Sequence, residues 1–356
     1  MKTGILSMHR VYNYGSFWQA YCLKKMIESC GSEAEFIDIK NGKQFLENSG
    51  HKSRLSFSKI KRIPYYIFQK KKANMFQKIQ YEKLGCSEKR NYSTDYDCII
   101  IGSDEVFNCI QQSPWGFTSQ LYGDIDNNNV NSYAGSFGYT KISDLEKYGL
   151  KDEIRNAFSN LNNISVRDKN SYDIASELTE GKKILRHLDP VLIGDLPIPA
   201  QENVINKYIL VYAYDFRFND TEYIKEIKKF AKEKHLKIYS VGFYQDWVDK
   251  NIVTDPYKLL SYFKNAEYII TDTFHGTIFS VRCKKQFVTV VRDTNIQKLT
   301  SLLDDVGLNQ RIVRDSKDLI GVLVQKPDYD VTFNTLGKER AKTENYLKLC
   351  LSSESL

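Results

Sequence analysis

The chain has 356 residues, 42% of them hydrophobic and 27% charged, and carries a net charge of +7. That length favours two domains of ordinary size with substantial cores. The composition excludes a disordered, collagenous or low-complexity chain, and the seven cysteines form no CxxC pair, so a disulfide framework is not expected and a reducing cytosol is.

The opening stretch Met1–Arg10 lacks the apolar core of a signal peptide, and no apolar run reaches the roughly 18 residues needed to cross a bilayer. A cytoplasmic protein is therefore expected. Lys2–Ser7 reads as a buried strand, Ser16–Cys30 as a helix stopped by Gly31, and Glu35–Ile39 as a second strand, a βαβ opening that argues for a parallel sheet. A basic helical insertion is expected over about residues 50–85. Within Lys52–Lys78, the residues Lys52, Arg54, Lys59, Lys61, Arg62, Lys70, Lys71, Lys72 and Lys78 face no acidic residue and interleave with Ile60, Ile63, Tyr65, Tyr66, Ile67 and Phe68. No RNA-binding motif, zinc finger or helix-turn-helix accompanies them, so nucleic acid is not the expected partner. An anionic membrane surface is one reading of the segment, and a solvated helix broken at Pro64 is the other.

Further strands are expected at Asp97–Gly102, Val130–Phe137, Asn163–Arg167 and Ile184–Leu188, with helices at Ser143–Leu161 and Ser171–Leu178. The aperiodic, proline-bearing stretch Gly194–Asn203 marks a domain boundary. The pattern then restarts, with strands at Tyr208–Tyr214, Lys237–Gly242, Glu267–Thr271 and Gln286–Val291. Helices follow at Thr221–Lys234, Pro256–Phe263, Thr277–Cys283 and Asn295–Val306. This gives two Rossmann-like αβα domains, residues 1–197 and 204–330, facing a cleft. A C-terminal helix, expected at Leu336–Leu351 within residues 331–356, returns to the first domain.

In open α/β sheets ligands bind at the carboxyl ends of strands. The polar residues placed there are His9, Asn13, Tyr14, Ser103, Asp104, Asn108, Ser136, Arg167, Asp168, Asp189, Asp272, His275 and Arg292. Tyr268–Gly276 stands out, because a strand runs through a polar elbow into a helix. The helix-start N–H groups favour anions, and His275 can exchange a proton near neutral pH. The roster contains no HExxH or paired histidines, so no metal site is expected. The chain has no GxGxxG, no P-loop and no GxSxG elbow. What remains suits group transfer from an anionic donor.

Six blocks, in order, resemble the polysaccharide pyruvyl transferase family. They are Asn13–Tyr21, Asp97–Asn108, Ser132–Gly138, Ile164–Asp168 with Leu188–Leu192, Ala266–Gly276, and Lys298–Arg311. Glu105 stands where the family pattern has Gln, Phe107 where it has Trp, and Gly135 where it has Ala. All three are expected in loops near the acceptor.

The resemblance implies a two-domain, glycosyltransferase GT-B-like fold and phosphoenolpyruvate as co-substrate, with no bound cofactor. The implied reaction forms a pyruvate ketal on a sugar of an exopolysaccharide, capsule or cell-wall glycan precursor and releases phosphate. Protonating the donor's methylene carbon needs an acid in a dry cleft, for which His275 is the choice. Arg167 and Lys298 are the first choices to meet the donor's charges. Arg292, Thr273, Gly276, Thr277 and Arg311 stand behind them on the donor side. Asn13, Tyr14, Ser103, Asp104 and Asn108 are expected to face a glycan or lipid-linked oligosaccharide acceptor, with peripheral contact at the inner membrane face through the basic insertion. One rival is a nucleotide-sugar glycosyltransferase, with Tyr244 and Trp247 stacking on a base. Another is a non-catalytic scaffold of a polysaccharide-synthesis complex.

Overall fold

A computed structural model describes residues 1–45, 63–110, 113–202, 207–293 and 295–352. The first half alternates β1 (Lys2–Leu6), α1 (Tyr14–Ser29), β2 (Glu33–Ile37), α2 (Ile63–Leu84), β3 (Cys98–Asp104), β4 (Val130–Gly135), α3 (Ile142–Lys147), α4 (Lys151–Ser159), β5 (Leu161–Val166), α5 (Lys169–Leu178), β6 (Ile184–Arg186) and α6 (Pro190–Ile193). The second half runs β7 (Tyr208–Tyr212), α7 (Thr221–Glu233), β8 (Lys237–Val241), β9 (Lys250–Ile252), α8 (Pro256–Asn265), β10 (Tyr268–Thr271), α9 (Phe274–Arg282), β11 (Gln286–Val290), α10 (Ile296–Asp305), β12 (Ile312–Val313), α11 (Leu319–Val324) and α12 (Tyr329–Leu351).

Two six-stranded sheets result, ordered β2-β1-β3-β4-β5-β6 and β12-β11-β10-β7-β8-β9. Among the described residues every pair of these strands is parallel. The second order is that of dinucleotide-binding Rossmann sheets, and the first is flavodoxin-like on its β2 side. Central strands read as unbroken apolar runs because helices cover both faces. In β3 all seven residues are buried, and in β7 all five.

Some elements depart from expectation for local reasons. The long helix expected at Ser143–Leu161 is two, α3 and α4, divided at the positive-φ Gly149. The last helix starts at Tyr329, seven residues before Leu336, where Asp328 caps it by accepting from the Asp330 N–H at 3.0 Å. It does return to the first sheet. Tyr346 Oη donates to the Ser132 carbonyl at 2.6 Å, and Asn129 Nδ2 donates to the Cys350 carbonyl at 3.0 Å.

One apolar core runs continuously from sheet to sheet through Trp18 of α1, Val191 of α6, Phe263 of α8, Phe279 of α9 and Leu347 of α12. Two further clusters cover the remaining faces. Polar seams reinforce the contact. Tyr14 Oη donates to the Thr254 carbonyl (2.8 Å) and Trp18 Nε1 to the Pro256 carbonyl (3.3 Å).

Within the described residues the basic insertion is one continuous helix, with Lys70, Lys71 and Lys78 solvated on its outer side. Pro64 lies in the first turn of α2, where a missing N–H costs little. Phe68, Lys72, Phe76 and Gln80 turn inward. The Lys72 ammonium sits 4.3 Å from the Phe243 ring centroid and 5.1 Å from that of Tyr14, and burial lowers it to about 8. Lys52, Arg54, Lys59, Lys61 and Arg62 lie outside the described residues.

Candidate active site

The two switch points, between β1 and β3 in one sheet and between β7 and β10 in the other, deliver their strand ends to the same cleft. From the second sheet comes the elbow after β10. Thr273 caps α9, its Oγ1 accepting the Gly276 N–H at 3.0 Å. His275 is then held in the first helical turn, and its ring reaches to the first sheet's side, where Nε2 lies 3.5 Å from Asp189 Oδ2. That is long for a hydrogen bond and close for an ion pair.

Asp189 is the hinge of the arrangement. Pro190 opens α6 and Asp189 caps it, Oδ1 accepting the Val191 N–H at 2.9 Å. Its Oδ2 accepts from Arg167 Nη1 at 2.9 Å while facing His275. Burial pushes this carboxyl up, but His275 and then Arg167 outweigh burial and bring it down to about 2. The Arg167 guanidinium also lies over the Phe274 ring, 4.2 Å from its centroid. Its buried Nε has no hydrogen-bond partner among the described residues. Asp168, the next residue in the chain, caps α5, its Oδ1 accepting the Ser171 N–H at 2.8 Å.

A second bridge joins Lys298 of α10 to Glu105 after β3, with Nζ 3.1 Å from Oε1. Burial favours the neutral form of each group, yet their mutual attraction wins, raising the lysine and lowering the glutamic acid. Asn108 Nδ2 steadies Glu105 Oε2 at 2.9 Å, and Thr140 Oγ1 donates to Asn108 Oδ1 at 3.0 Å. Deeper on the second side, Asp272 is 1% exposed, with Arg292 at 3.0 Å and Arg217 at 3.7 Å. Burial outweighs both arginines and raises its carboxyl above the ordinary range.

Thus His275, Arg167, Lys298 and Arg292 all reach the cleft. Asp104 joins them from β3, accepting from Ser16 Oγ at 2.8 Å, as does Ser103, whose buried Oγ has no partner among the described residues.

Other expected site residues take structural parts. Arg311 is 1% exposed, and its Nη1 donates to the Gln325 carbonyl at 2.8 Å beneath β11, so it does not meet a donor in the cleft. Tyr14 is buried at the seam between the sheets, which removes it from the acceptor side. Asn13 caps α1, accepting the Gly15 N–H at 2.8 Å. Thr277 Oγ1 donates to the Thr273 carbonyl and shares a 3.0 Å hydrogen bond with Thr289, tying α9 to β11. Thr273 and Gly276 act through the cap just described. Asn108 serves Glu105.

Phe107 and Gly135 do not lie near an acceptor either. Phe107 is wholly buried among Tyr122, Phe137 and Phe158. A Cβ on Gly135 would stand 2.3 Å from Phe107 Cε2. The aromatics assigned to a nucleotide base are also engaged: Trp247 Nε1 donates to the Phe218 carbonyl at 2.8 Å, and Tyr244 packs edge-on against Phe68 of α2.

Gly15 was not among the expected site residues. A Cβ there would fall 2.1 Å from His275 Nδ1, so the bare backbone of α1 is the seat of the imidazole. Gly15→Ala favours the helix itself by up to about 1 kcal/mol. It should nevertheless cut turnover by roughly 10²-fold, the scale of an approximately 1 Å misplacement of a reacting group. Steady-state kinetics checks this, and in a His275→Ala background the same substitution should cost little more. Full activity in Gly15→Ala would show that the ring is held elsewhere.

Solved structures share this architecture at low identity. The UDP co-structure of MnaA from S. aureus is 12% identical with a TM-score of 0.53, over 100% of both chains. The UDP-GlcNAc 2-epimerase of Methanocaldococcus jannaschii, in complex with UDP-GlcNAc and UDP, is 14% identical with a TM-score of 0.52, over 97% of this chain and 99% of that one. These similarities establish a GT-B-like fold class. No curated protein sequence matches the chain. The family model "Polysaccharide pyruvyl transferase" matches residues 13–294, which include the elbow, the meeting of His275 with Asp189 and Arg167, and the seat at Gly15, and the chain belongs to the polysaccharide pyruvyl transferase family.

Proposed function

We propose that this transferase moves the enolpyruvyl group of phosphoenolpyruvate onto a sugar of an exopolysaccharide, capsule or cell-wall glycan precursor. His275 donates a proton to the donor's methylene carbon, and C2 becomes an oxocarbenium centre. A sugar hydroxyl adds to C2 and returns its proton to the imidazole. The C2–O bond to phosphate then breaks, inorganic phosphate leaving with the electron pair. A second hydroxyl adds to C2, its proton passing to the departing phosphate, which closes the ketal. The observation that supports this reading is the meeting of His275 with Asp189 and Arg167 across the cleft. His275 and Arg167 both face Asp189 Oδ2, so an imidazole and a guanidinium are held side by side around one carboxylate.

The test is mass spectrometry of a lipid-linked oligosaccharide pool with enzyme and phosphoenolpyruvate. A pyruvate-ketal mass gain is expected. Transfer from UDP-sugars instead would overturn the reading in favour of a nucleotide-sugar enzyme. Lys298 and Arg292 take the donor's anionic groups in this scheme. Lys298→Ala should weaken donor binding by roughly 1.5–3 kcal/mol, the worth of a charge-assisted hydrogen bond. Calorimetric titration reads this directly.

The outward face of α2 fits a lipid surface. Ile63, Tyr66 and Ile67 are exposed beside Lys70, Lys71 and Lys78, and no helix among the described residues is long and apolar enough to cross a membrane. The protein is expected to co-sediment with phosphatidylserine vesicles at low salt and to release by about 0.5 M, where screening is nearly complete. Replacing Lys70 and Lys71 by Glu should lower the partition roughly fivefold or more per residue. Indifference to vesicles at low salt would end the membrane reading.

A further inference from the structure

Beside Lys298 the cleft widens into a groove of about 640 Å³ whose walls are α5 of the first half and α10 of the second. This is far more room than a three-carbon donor needs, and it falls in the roughly 300–1,000 Å³ range of small-molecule sites. The groove's charge is balanced, four aspartates against four lysines and arginines. Much of that charge is paired internally, Lys169 with Asp173 at 2.9 Å and Arg186 with Asp305 at 2.9 Å. A surface so balanced does not favour a diphosphate or another polyanion over a neutral ligand.

The uncharged groups tell what would gain. Asn170, Gln297, Thr300 and Ser301 line the groove with both donors and acceptors. The Thr300 hydroxyl is shielded from solvent and lacks a hydrogen-bond partner among the described residues. Next in the chain to the lining Gly138 stands Tyr139, 55% exposed, its hydroxyl tied to the Ile110 carbonyl at 3.3 Å. A tethered aromatic ring with an open face is a platform for the apolar face of a sugar. Arg186 Nη2 bonds both oxygens of Asp305, at 3.1 and 2.9 Å, and so straps α10 to the end of β6 and sets the groove's width.

We infer that this groove binds the non-reacting sugars of the acceptor, a neutral oligosaccharide of at least two residues that runs from Lys298 outward between α5 and α10. The inference rests on the proposed reaction in taking the acceptor to be a glycan. Recognition of several sugars makes the enzyme select chain length, acting on assembled glycans in preference to single sugars. The class of reaction that supplies its substrate is then glycosyl transfer onto a growing oligosaccharide.

The probes are neutral oligosaccharides of one, two and four sugars, released by mild acid from the producing cell's lipid-linked pool and titrated calorimetrically against the full chain. The tetrasaccharide should bind at least about tenfold more tightly than the monosaccharide, a difference of about 1.4 kcal/mol. Gln297→Trp, which fills the groove from an exposed position, should abolish that ratio, with thermal melting used to verify that the variant folds. Equal affinity at every length, or a length dependence that survives Gln297→Trp, overturns the groove. Incubation with phosphoenolpyruvate separates the two proposals. Ketal formation without length dependence defeats the groove alone. Length-dependent binding with no ketal defeats the pyruvyl-transfer reading and leaves the groove standing.

Discussion

His275→Ala should lower kcat by about 10²–10⁴-fold, the scale on which lost general acid catalysis is felt. The side chain contributes little to the core, being seated on the bare backbone at Gly15 and only loosely paired with Asp189. Melting should therefore change little, and donor affinity should persist because Lys298 and Arg292 remain. Pre-steady-state measurement of phosphate release isolates the chemical step. Undiminished turnover would remove the imidazole from the mechanism. Asp272 would then be the next acid to test, since neither oxygen accepts a hydrogen bond among the described residues and burial favours its protonated form.

Asp189→Ala should destabilise the protein by about 3–5 kcal/mol, as expected when one member of a buried ion pair is removed and the other stays behind. The orphan is Arg167, 6% exposed and stacked on Phe274. The effect carries a pH signature. Asp189 is held at about 2 in the folded protein against an ordinary 3.8, so the unfolded chain binds more protons between those values. Its contribution is complete above the unfolded value and fades as pH falls through the folded one. The gap in urea midpoint between the wild type and Asp189→Asn should accordingly hold near neutrality and narrow from about pH 4 to about pH 2. A gap indifferent to pH would mean that the carboxylate's charge is not what stabilises the fold.

The sheets were legible because a strand covered on both faces leaves an unbroken apolar run, as in Cys98–Ile101 and Tyr208–Tyr212. Pieces too short for a period were not. The three residues of β9, the two of β12 and the four of α6 owe their form to neighbours rather than to local pattern. In the site, His275 could be read from its elbow, a local feature. Its partner Asp189 was on the roster without being matched to it, and Gly15 stood in the first family block with no part in the site. Both contacts join the two halves of the chain, and nothing in either local sequence encodes the meeting. Arg311 misled for the same reason, since its partner is the Gln325 backbone.

Three departures from the family pattern now separate into two kinds. Phe107 and Gly135 are in contact, so the smaller ring and the missing methyl belong to one packing solution in the core. Glu105 alone reaches the cleft, where it ion-pairs with Lys298. A glutamine there would leave that ammonium with one fewer negative neighbour and a greater appetite for an anion.

The continuous core between the sheets fixes how the enzyme meets its substrates. Enzymes that swing two lobes together spend part of their binding energy on assembling the reacting groups at each turnover. Here the lobes are packed together by Trp18, Phe263, Phe279 and Leu347, and His275, Asp189 and Arg167 already meet across the cleft. The entropy of assembly was met once, during folding. Lobe motion is then expected to contribute little to how fast substrates enter and leave.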